Sequence, residues 1–324
     1  MIRAFAAQGD RLRQLSDLGN GLAGAVWVDL LSPSKEEEQT AERWLGMGIP
    51  TREEMEEIET SSRLYAEGDG FVMTATIPAQ SDDVGSRIGP VTFVLTKNRL
   101  ATIRYHEPRV FETFPARAEN ADLNCTDGTS VLIALLEMIV DRLADHLEQA
   151  SRDVVDLSRQ IFHPTAKKAS KRDQDFQHIL RRIGRLEHFI SDVQDSLVSL
   201  QRLSGFLSNI AMVKQGDKDQ RGRVKTLSRD VLSLAAHAES LSQKIIFLLD
   251  ATLGMINIQQ NAIIKIVSVA AVVFLPPTLV ASVYGMNFHN MPELDWVFGY
   301  PLAIGAMILS AVLPFWWFKS RGWL

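Results

Sequence analysis

An apolar stretch near the end of the chain contains a series of positions that would lie on one face of a helix, and several of them are polar. These positions are separated alternately by three and four residues, the spacing of a helix seam. They are Asn261, Ile264, Ser268, Ala271, Leu275, Thr278 and Ser282. Polar side chains inside a membrane usually face a bundle interior or a water-filled cavity. Small and hydroxyl residues also serve ordinary helix packing in membranes, so this pattern leaves pore lining and packing equally open.

The seam lies in the first of two long uncharged segments. Residues 266–283 form eighteen consecutive positions without a charge, and residues 296–318 form twenty-three. A membrane-spanning helix needs about 20 mostly apolar residues. Both segments are therefore predicted to span a membrane, in preference to being core helices of a soluble domain.

Charge is distributed so unevenly that it also predicts an orientation. From residue 262 onward the charged residues are Lys265, Glu293, Asp295, Lys319 and Arg321, against 31 basic and 37 acidic groups before them. The connection between the two segments carries no Lys or Arg, while basic residues flank its outer ends. The positive-inside rule then places both termini in the cytosol and the short connection outside.

The large region before the two predicted spans begins with strand-like segments and continues with long helical segments. Residues 25–30, 71–77, 91–95 and 100–105 are rich in strand-forming residues, and the last two are predicted to form a hairpin. From about residue 130 the apolar spacing becomes helical, with helices predicted over 130–162, over 171–212, and from 223 without interruption into the first span. Sixty residues of helix measure roughly 90 Å, which suits a stalk leading to the membrane.

Several classes of protein are disfavoured by composition. The one cysteine, Cys125, provides no disulfide framework and no cysteine-ligated metal site. The net charge of −5 gives no support to nucleic-acid binding. No Gly-x-x-x-x-Gly-Lys loop, His-Glu-x-x-His cluster or nucleophile–base arrangement is found, so neither an enzyme nor an organic cofactor is predicted.

The connection between the spans resembles a known family. Tyr284, Gly285, Met286 and Asn287, followed by Met-Pro-Glu-Leu at 291–294, resemble the signature of the CorA family of magnesium transporters. Leu-Pro-Pro-Thr at 275–278 and Gly-Tyr-Pro at 299–301 are similar to its bacterial branch. The close match covers about the last seventy residues, and weaker similarity extends upstream.

The resemblance implies a funnel-shaped homopentamer in the bacterial inner membrane. Its fold would be an α+β cytosolic domain with a long helical stalk and two C-terminal transmembrane helices, the first of which lines the pore. Gly285, Met286 and Asn287 would form the selectivity filter at the outer mouth. Glu293 and Asp295 would either concentrate cations there by their field or simply belong to a solvated loop.

The same resemblance assigns roles deeper in the chain. A hydrophobic gate is expected at Ile264, Val267 and Leu275, a pore-facing hydroxyl at Thr278 and a polar ring at Asn261. Asp250, together with Asp230, is expected to hold a regulatory divalent ion between protomers. Ordinary surface charge explains these two carboxylates equally well.

These inferences predict a channel-like transporter for Mg²⁺ influx, with Co²⁺ and Ni²⁺ as further ions, whose partners are its own copies, lipid and divalent cations. The alternatives are a zinc transporter of the same superfamily and a non-conducting, membrane-anchored coiled-coil scaffold. The predicted organisation is a cytosolic α/β domain over 1–129, a long-helix region and stalk over 130–261, transmembrane helices over 262–284 and 296–318, a periplasmic loop over 285–295 and a cytosolic tail over 319–324.

Overall fold

A computed structural model describes most of the chain. The described residues are 1–15, 22–79, 88–163, 169–210, 218–287, 291–292 and 296–322, with side chains left out at 169–174. The chain forms two compact units, Met1–Leu249 and Asp250–Leu324.

The first unit contains a seven-stranded mixed sheet with the spatial order β2-β1-β3-β7-β6-β5-β4. Strands β3 and β7 are parallel, and the other neighbouring pairs are antiparallel. The strands are β1 (Ile2–Gln8), β2 (Arg11–Gln14), β3 (Ala25–Leu31), β4 (Leu64–Glu67), β5 (Gly70–Pro78), β6 (Ile88–Leu95) and β7 (Leu100–Arg104). The four predicted strands and the predicted hairpin, here β6 and β7, are confirmed, whereas β1, β2 and β4 were not predicted.

Two of the short helices begin at side chains that accept hydrogen bonds from the first turn. Ser34 and Thr51 each form a capping box with the glutamate three residues later, which fixes the start of α1 and α2. The short helices are α1 (Lys35–Leu45), α2 (Arg52–Glu56), α3 (Thr60–Arg63) and α4 (Val110–Asn120). Apolar residues of α1, such as Trp44, belong to the same core cluster as Val28 of β3.

A buried carboxylate ties three strands of the sheet together. Asp29 on β3 is fully buried and accepts hydrogen bonds from Arg104 on β7, at 2.9 and 3.1 Å, and from Arg3 on β1, at 2.6 Å. The Thr102 hydroxyl donates to the same carboxylate at 2.8 Å. Because a buried charge is costly unless it is paired and hydrogen-bonded, this network fixes the order β1-β3-β7.

Three long helices follow the sheet: α5 (Gly128–Phe162), α6 (Ala169–Asn209) and α7 (Lys218–Tyr284). A Cβ on Gly128 would lie 2.5 Å from the backbone of Arg99, so glycine allows α5 to begin directly against the β6–β7 turn. Helix α7 is held to α5 by a two-pronged ion pair between Arg223 and Glu137, at 2.6 and 2.9 Å.

Helix α7 continues without interruption to the end of the first uncharged segment, as predicted. The helix begins at Lys218, earlier than the predicted start at residue 223, because Gly222 does not interrupt it. A single helical glycine costs only about 1 kcal/mol, and the buried Val224 just after it holds the helix in place. The predicted end of α6 at Met212 lies outside the described residues, whose part of the helix ends at Asn209.

The second unit contains the rest of α7 and α8 (Gly299–Ser320). Both are long and apolar enough to cross a membrane, and only 6% and 11% of their most apolar stretches are buried. A core helix of a soluble protein would be mostly buried, so this exposure argues against the core-helix interpretation.

Candidate functional site: the transmembrane seam and its outer loop

The Gly-Met-Asn sequence directly follows the end of α7. The Gly285 amide donates to the Ala281 carbonyl at 2.9 Å, one last helical bond after the helix ends at Tyr284. A Cβ at Gly285 would lie 3.1 Å from that same carbonyl oxygen, so a glycine suits this exit from the helix. Met286 and Asn287 are exposed. A helix C-terminus carries partial negative charge, which favours a cation nearby.

All seven seam residues, from Asn261 to Ser282, are exposed in the single chain. Over 262–284 every residue is described, and those that are buried or half-buried form a different stripe. This covered stripe of α7 consists of Val269, Val273, Pro276, Pro277, Val280 and Tyr284. At about 100° of rotation per residue, the centres of seam and covered stripe lie about 160° apart around the helix.

Helix α8 has a covered stripe of its own. Its buried or half-buried residues recur mainly every three or four positions and so lie on one side of the helix. They are Gly299, Ala303, Met307, Ser310, Ala311, Pro314 and Phe318. Because both stripes belong to the same compact unit, we infer that the two spans cover each other there. The seam of α7 then faces away from the chain's own second span.

The two consecutive prolines in α7 interrupt its backbone hydrogen bonds. Pro276 and Pro277 have no amide hydrogen to give to the carbonyls one turn earlier. The next residue, Thr278, donates its hydroxyl hydrogen to the Phe274 carbonyl at 2.8 Å. Its oxygen keeps lone pairs that can accept a hydrogen bond from water. The predicted pore-facing hydroxyl is therefore placed as an acceptor on an exposed position of the seam.

The predicted gate residues are large, apolar and uncovered. Ile264, Val267 and Leu275 are 60%, 63% and 66% exposed. Ile264 and Leu275 lie on the seam, and Val267 lies about 70° from its centre at the rotation per residue of a regular helix. All three side chains are more than half exposed in the single chain.

Comparison with known proteins identifies the family. The sequence profile of the family described as "CorA-like Mg2+ transporter protein" matches residues 23–320. The chain belongs to the CorA family. It is 38% identical over 325 residues to the magnesium transport protein CorA of Pasteurella multocida, and 37% identical over 325 residues to that of Escherichia coli K12. Each match covers 100% of both chains.

A solved structure shares the fold. The complete structure of the CorA magnesium transporter from Methanocaldococcus jannaschii matches with a TM-score of 0.76 at 17% identity, covering 100% of this chain and 99% of the other. Members of the CorA family are ion transporters, and the chain is accordingly not an enzyme.

Of the four acidic residues to which the sequence analysis assigns a role in this CorA-family chain, the structure describes two. Glu293 and Asp295 lie outside the described residues, so their role stays a prediction. Asp230 and Asp250 on α7 are both exposed. Among the described residues, no group of three or more His, Cys, Asp or Glu side chains could hold a metal ion. The regulatory role of Asp230 and Asp250 stays a prediction.

The covered stripes of α7 and α8 were not predicted. On α8 the sequence signal was available, since Gly299, Ala303 and Ser310 are small residues on one side of the helix, as at close helix contacts in membranes. On α7 the signal was hidden, because Val269 and Val273 do not differ in type from their exposed apolar neighbours.

Proposed function

We propose that five copies of the chain form a ring in the bacterial inner membrane and conduct Mg²⁺ into the cytosol, with both termini on the cytosolic side. One observation carries the proposal: the Gly-Met-Asn sequence follows directly on a helix whose polar seam is left uncovered by its own chain. Membership of a family of Mg²⁺ transporters supports it.

The chemistry of the loop suits a hydrated ion. Mg²⁺ loses its water reluctantly and prefers octahedral oxygen surroundings. The amide oxygens of Asn287 and the carbonyls of Gly285, one from each copy, are neutral acceptors for hydrogen bonds from the ion's water shell. Neutral oxygens can hold the hydrated ion without stripping it and release it again, as conduction requires.

The seam supplies the rest of the path. One polar seam in each copy facing a common axis would give a wet interior, with the Ser268 and Thr278 oxygens as hydrogen-bond acceptors. Ile264, Val267 and Leu275 would form apolar constrictions, which can stop a hydrated ion by dewetting. Their exposure of more than half in the single chain supports a position where neighbouring copies provide the missing contacts.

Influx needs no chemical energy source. An inside-negative potential of 100 mV contributes about 4.6 kcal/mol for a divalent cation, twice the value for one elementary charge. Co²⁺ and Ni²⁺ would follow the same route, because they share the charge and the octahedral water shell of Mg²⁺. Mg²⁺ bound between copies at Asp250, with Asp230 as a further ligand, would hold the ring closed when cytosolic Mg²⁺ is high.

The test is flux through purified protein. The full chain is reconstituted in liposomes that contain a Mg²⁺-sensitive dye, and uptake is measured under an imposed inside-negative potential. We expect uptake by the wild type and its loss in Asn287→Ala. The matched control, Asn120→Ala, makes the same chemical change on the exposed surface of α4 and should leave uptake unchanged.

The remaining outcomes distinguish the alternatives. Uptake of Zn²⁺ without Mg²⁺ would select the zinc transporter. Correct assembly without any uptake by the wild type would contradict the proposed transport and favour a scaffold. An Asn287→Ala variant that conducts normally would contradict the proposed role of the loop.

A further inference from the structure

A groove between α4 and α5 in the first unit carries three arginine side chains. Its volume is about 300 Å³, the smallest size that is typical of a small-molecule site. The apolar part of its lining comes from Val110 and Met138. The polar part of its lining consists of Arg109, Thr113, Arg117, Asp141, Arg142 and Asp145.

The two helices that form the groove are fixed by the core of the first unit. On α4, Phe114 packs edge-on against Trp27 of β3, with ring centres 5.4 Å apart, and Phe111 is fully buried. On α5, Ile139 and Leu143 are also buried. The groove therefore exists before any ligand binds, which lowers the entropy cost of binding.

The three guanidinium groups have few partners of their own. Arg109 and Arg117 are exposed, and Arg142 is half-buried. Within the described residues, none of the three side chains donates a hydrogen bond. Arg142 lies 3.9 Å from Asp145, and Arg117 attracts Asp141 by its charge from beyond the distance of an ion pair. Each guanidinium has five N–H donors, so the groove offers many donors to an anion, and phosphate accepts them in pairs.

The spacing of the arginines favours an elongated anion. Arg109, Thr113 and Arg117 follow one another every four residues, on one side of α4 and of the turn before it. Arg109 and Arg117 are thus about 12 Å apart along the helix axis, and Arg142 lines the groove from α5. A single phosphate group is too short to reach along such a row, whereas a polyphosphate has several phosphate groups in line.

Two carboxylates in the same groove would repel a bare anion. Asp141 and Asp145 are four residues apart on α5, on one side of that helix, and both are exposed. Proteins bind Mg²⁺ through one or two carboxylates together with phosphate oxygens of the ligand. A polyphosphate that carries Mg²⁺ therefore suits both kinds of charge in the groove, because the arginines donate to its oxygens and the carboxylates attract its cation.

We propose that the groove between α4 and α5 binds a polyphosphate in complex with Mg²⁺, either inorganic or as part of a nucleotide. The three arginines donate to the phosphate oxygens, and the two aspartates share the cation with them. In a nucleotide, the base lies against Val110 and Met138. The site belongs to the first unit and does not require conduction, so this inference goes beyond the proposed function.

Isothermal titration calorimetry on the purified full chain in detergent tests the site. The probes are ATP and inorganic tripolyphosphate, each at the same concentration of free Mg²⁺. We expect the wild type to bind at least one of them at one site per chain. Tighter binding of ATP would support a nucleotide as the ligand, and equal binding of the two would support recognition of the polyphosphate alone.

Variants of the arginines locate the binding. Arg117→Gln and Arg142→Gln should each weaken it roughly tenfold or more, since each removes hydrogen bonds from a charged donor. The matched control is Arg159→Gln on α5, about 26 Å from Arg142 along the helix. Arg159 is exposed and also lies near an aspartate, Asp156, at 3.5 Å, and the control should bind as the wild type does. Circular dichroism of each variant checks that the helices remain.

A variant of both carboxylates tests the cation. Asp141→Asn combined with Asp145→Asn should weaken binding of a polyphosphate that carries Mg²⁺, whereas a bare anion would bind more tightly once the repulsion is removed. The proposal is overturned if the wild type binds neither probe, if Arg117→Gln and Arg142→Gln bind as tightly as the wild type or Arg159→Gln loses as much affinity as they do, or if the aspartate variant binds more tightly. None of these results depends on Mg²⁺ flux, so they are separate from the test of the proposed function.

Discussion

The two units of the chain use the same kinds of apolar residue in opposite ways. In the first unit Trp27, Phe93 and Phe111 have no exposed surface. In the second, Phe274, Leu275 and Trp316 are 71%, 66% and 69% exposed. The first unit therefore has its own core, whereas the second leaves these large apolar side chains exposed in the single chain.

The difference also extends to polar groups. The first unit buries Asp29 and satisfies it completely with arginine and threonine partners. The spans present the Ser268 hydroxyl and the Asn261 amide on an exposed face. A polar group is stable in an apolar setting only with a partner. Asp29 has its partners within its own chain, whereas the exposed polar groups of the seam would need partners inside a membrane.

The largest expected effect comes from breaking the buried Asp29 network of the first unit. Asp29→Ala removes the carboxylate that pairs Arg104, whose side chain is 4% exposed. Leaving a buried charge without its partner costs about 3–5 kcal/mol. Chemical denaturation of the detergent-solubilised full chain, followed by tryptophan fluorescence, should show this loss in the transition of the first unit.

The matched control for this prediction is Asp122→Ala. Asp122 pairs with Arg11 at 2.7 Å, but both side chains are more than half exposed. Such surface pairs contribute about 0–1 kcal/mol. Equal destabilisation by the two variants would contradict the assigned role of the buried network.

A smaller effect on stability is expected to distinguish the covered side of α8 from its exposed side. Ala303 is 6% exposed on the covered stripe of α8, and Ala303→Leu should cost about 1–3 kcal/mol by overpacking. Ala306→Leu makes the same change on the exposed side of the helix and should be nearly neutral. Thermal unfolding of the purified protein in detergent compares the two variants. A neutral Ala303→Leu would show that the stripe is not a packed contact.

The smallest expected effect concerns pH in the first unit. Burial lowers the pKa of His106 below its ordinary value of 6.5, and nearby Arg104 lowers it further, against an opposing hydrogen bond to the Ile77 carbonyl. A lowered pKa means that the unfolded chain binds the proton more tightly, so this contribution to stability is present above pH 6.5 and is lost as the pH falls.

The comparison variant is His106→Gln, whose amide can still donate to the Ile77 carbonyl. Between pH 7.5 and pH 5, the wild type should lose more thermal stability than the variant. Parallel curves for the two proteins would contradict the assignment to His106.

Much of the fold could be predicted from the sequence. Strong local patterns predicted β3, β5, β6, β7 and the long helices. The spacing of apolar residues and the residue composition that favour a strand or a helix can be seen within each of these segments alone. The short edge strands β2 and β4 have four residues each, too few to show a period. The Asp29 network depends on which strands are neighbours, so only the charged residue within an apolar strand hinted at it.

Part of the candidate site could also be predicted from the sequence, and part could not. The seam is a property of one helix, and its spacing could be followed along the sequence. The covered stripe that leaves the seam free depends on a second helix, so local spacing on α7 did not reveal it. In the proposed ring other copies face the seam, and no pattern within one chain describes them.

The most direct test of the central claim measures which side of α7 meets water in the assembled protein. In a Cys125→Ser background, Ser268→Cys on the seam and Val273→Cys on the covered stripe are reconstituted and treated with a charged, water-soluble thiol reagent. We predict that Ser268→Cys reacts and that its modification stops Mg²⁺ uptake, while Val273→Cys stays unmodified and active. An unreactive Ser268→Cys, or a Val273→Cys that reacts faster, would contradict the placement of the seam on a wet central axis.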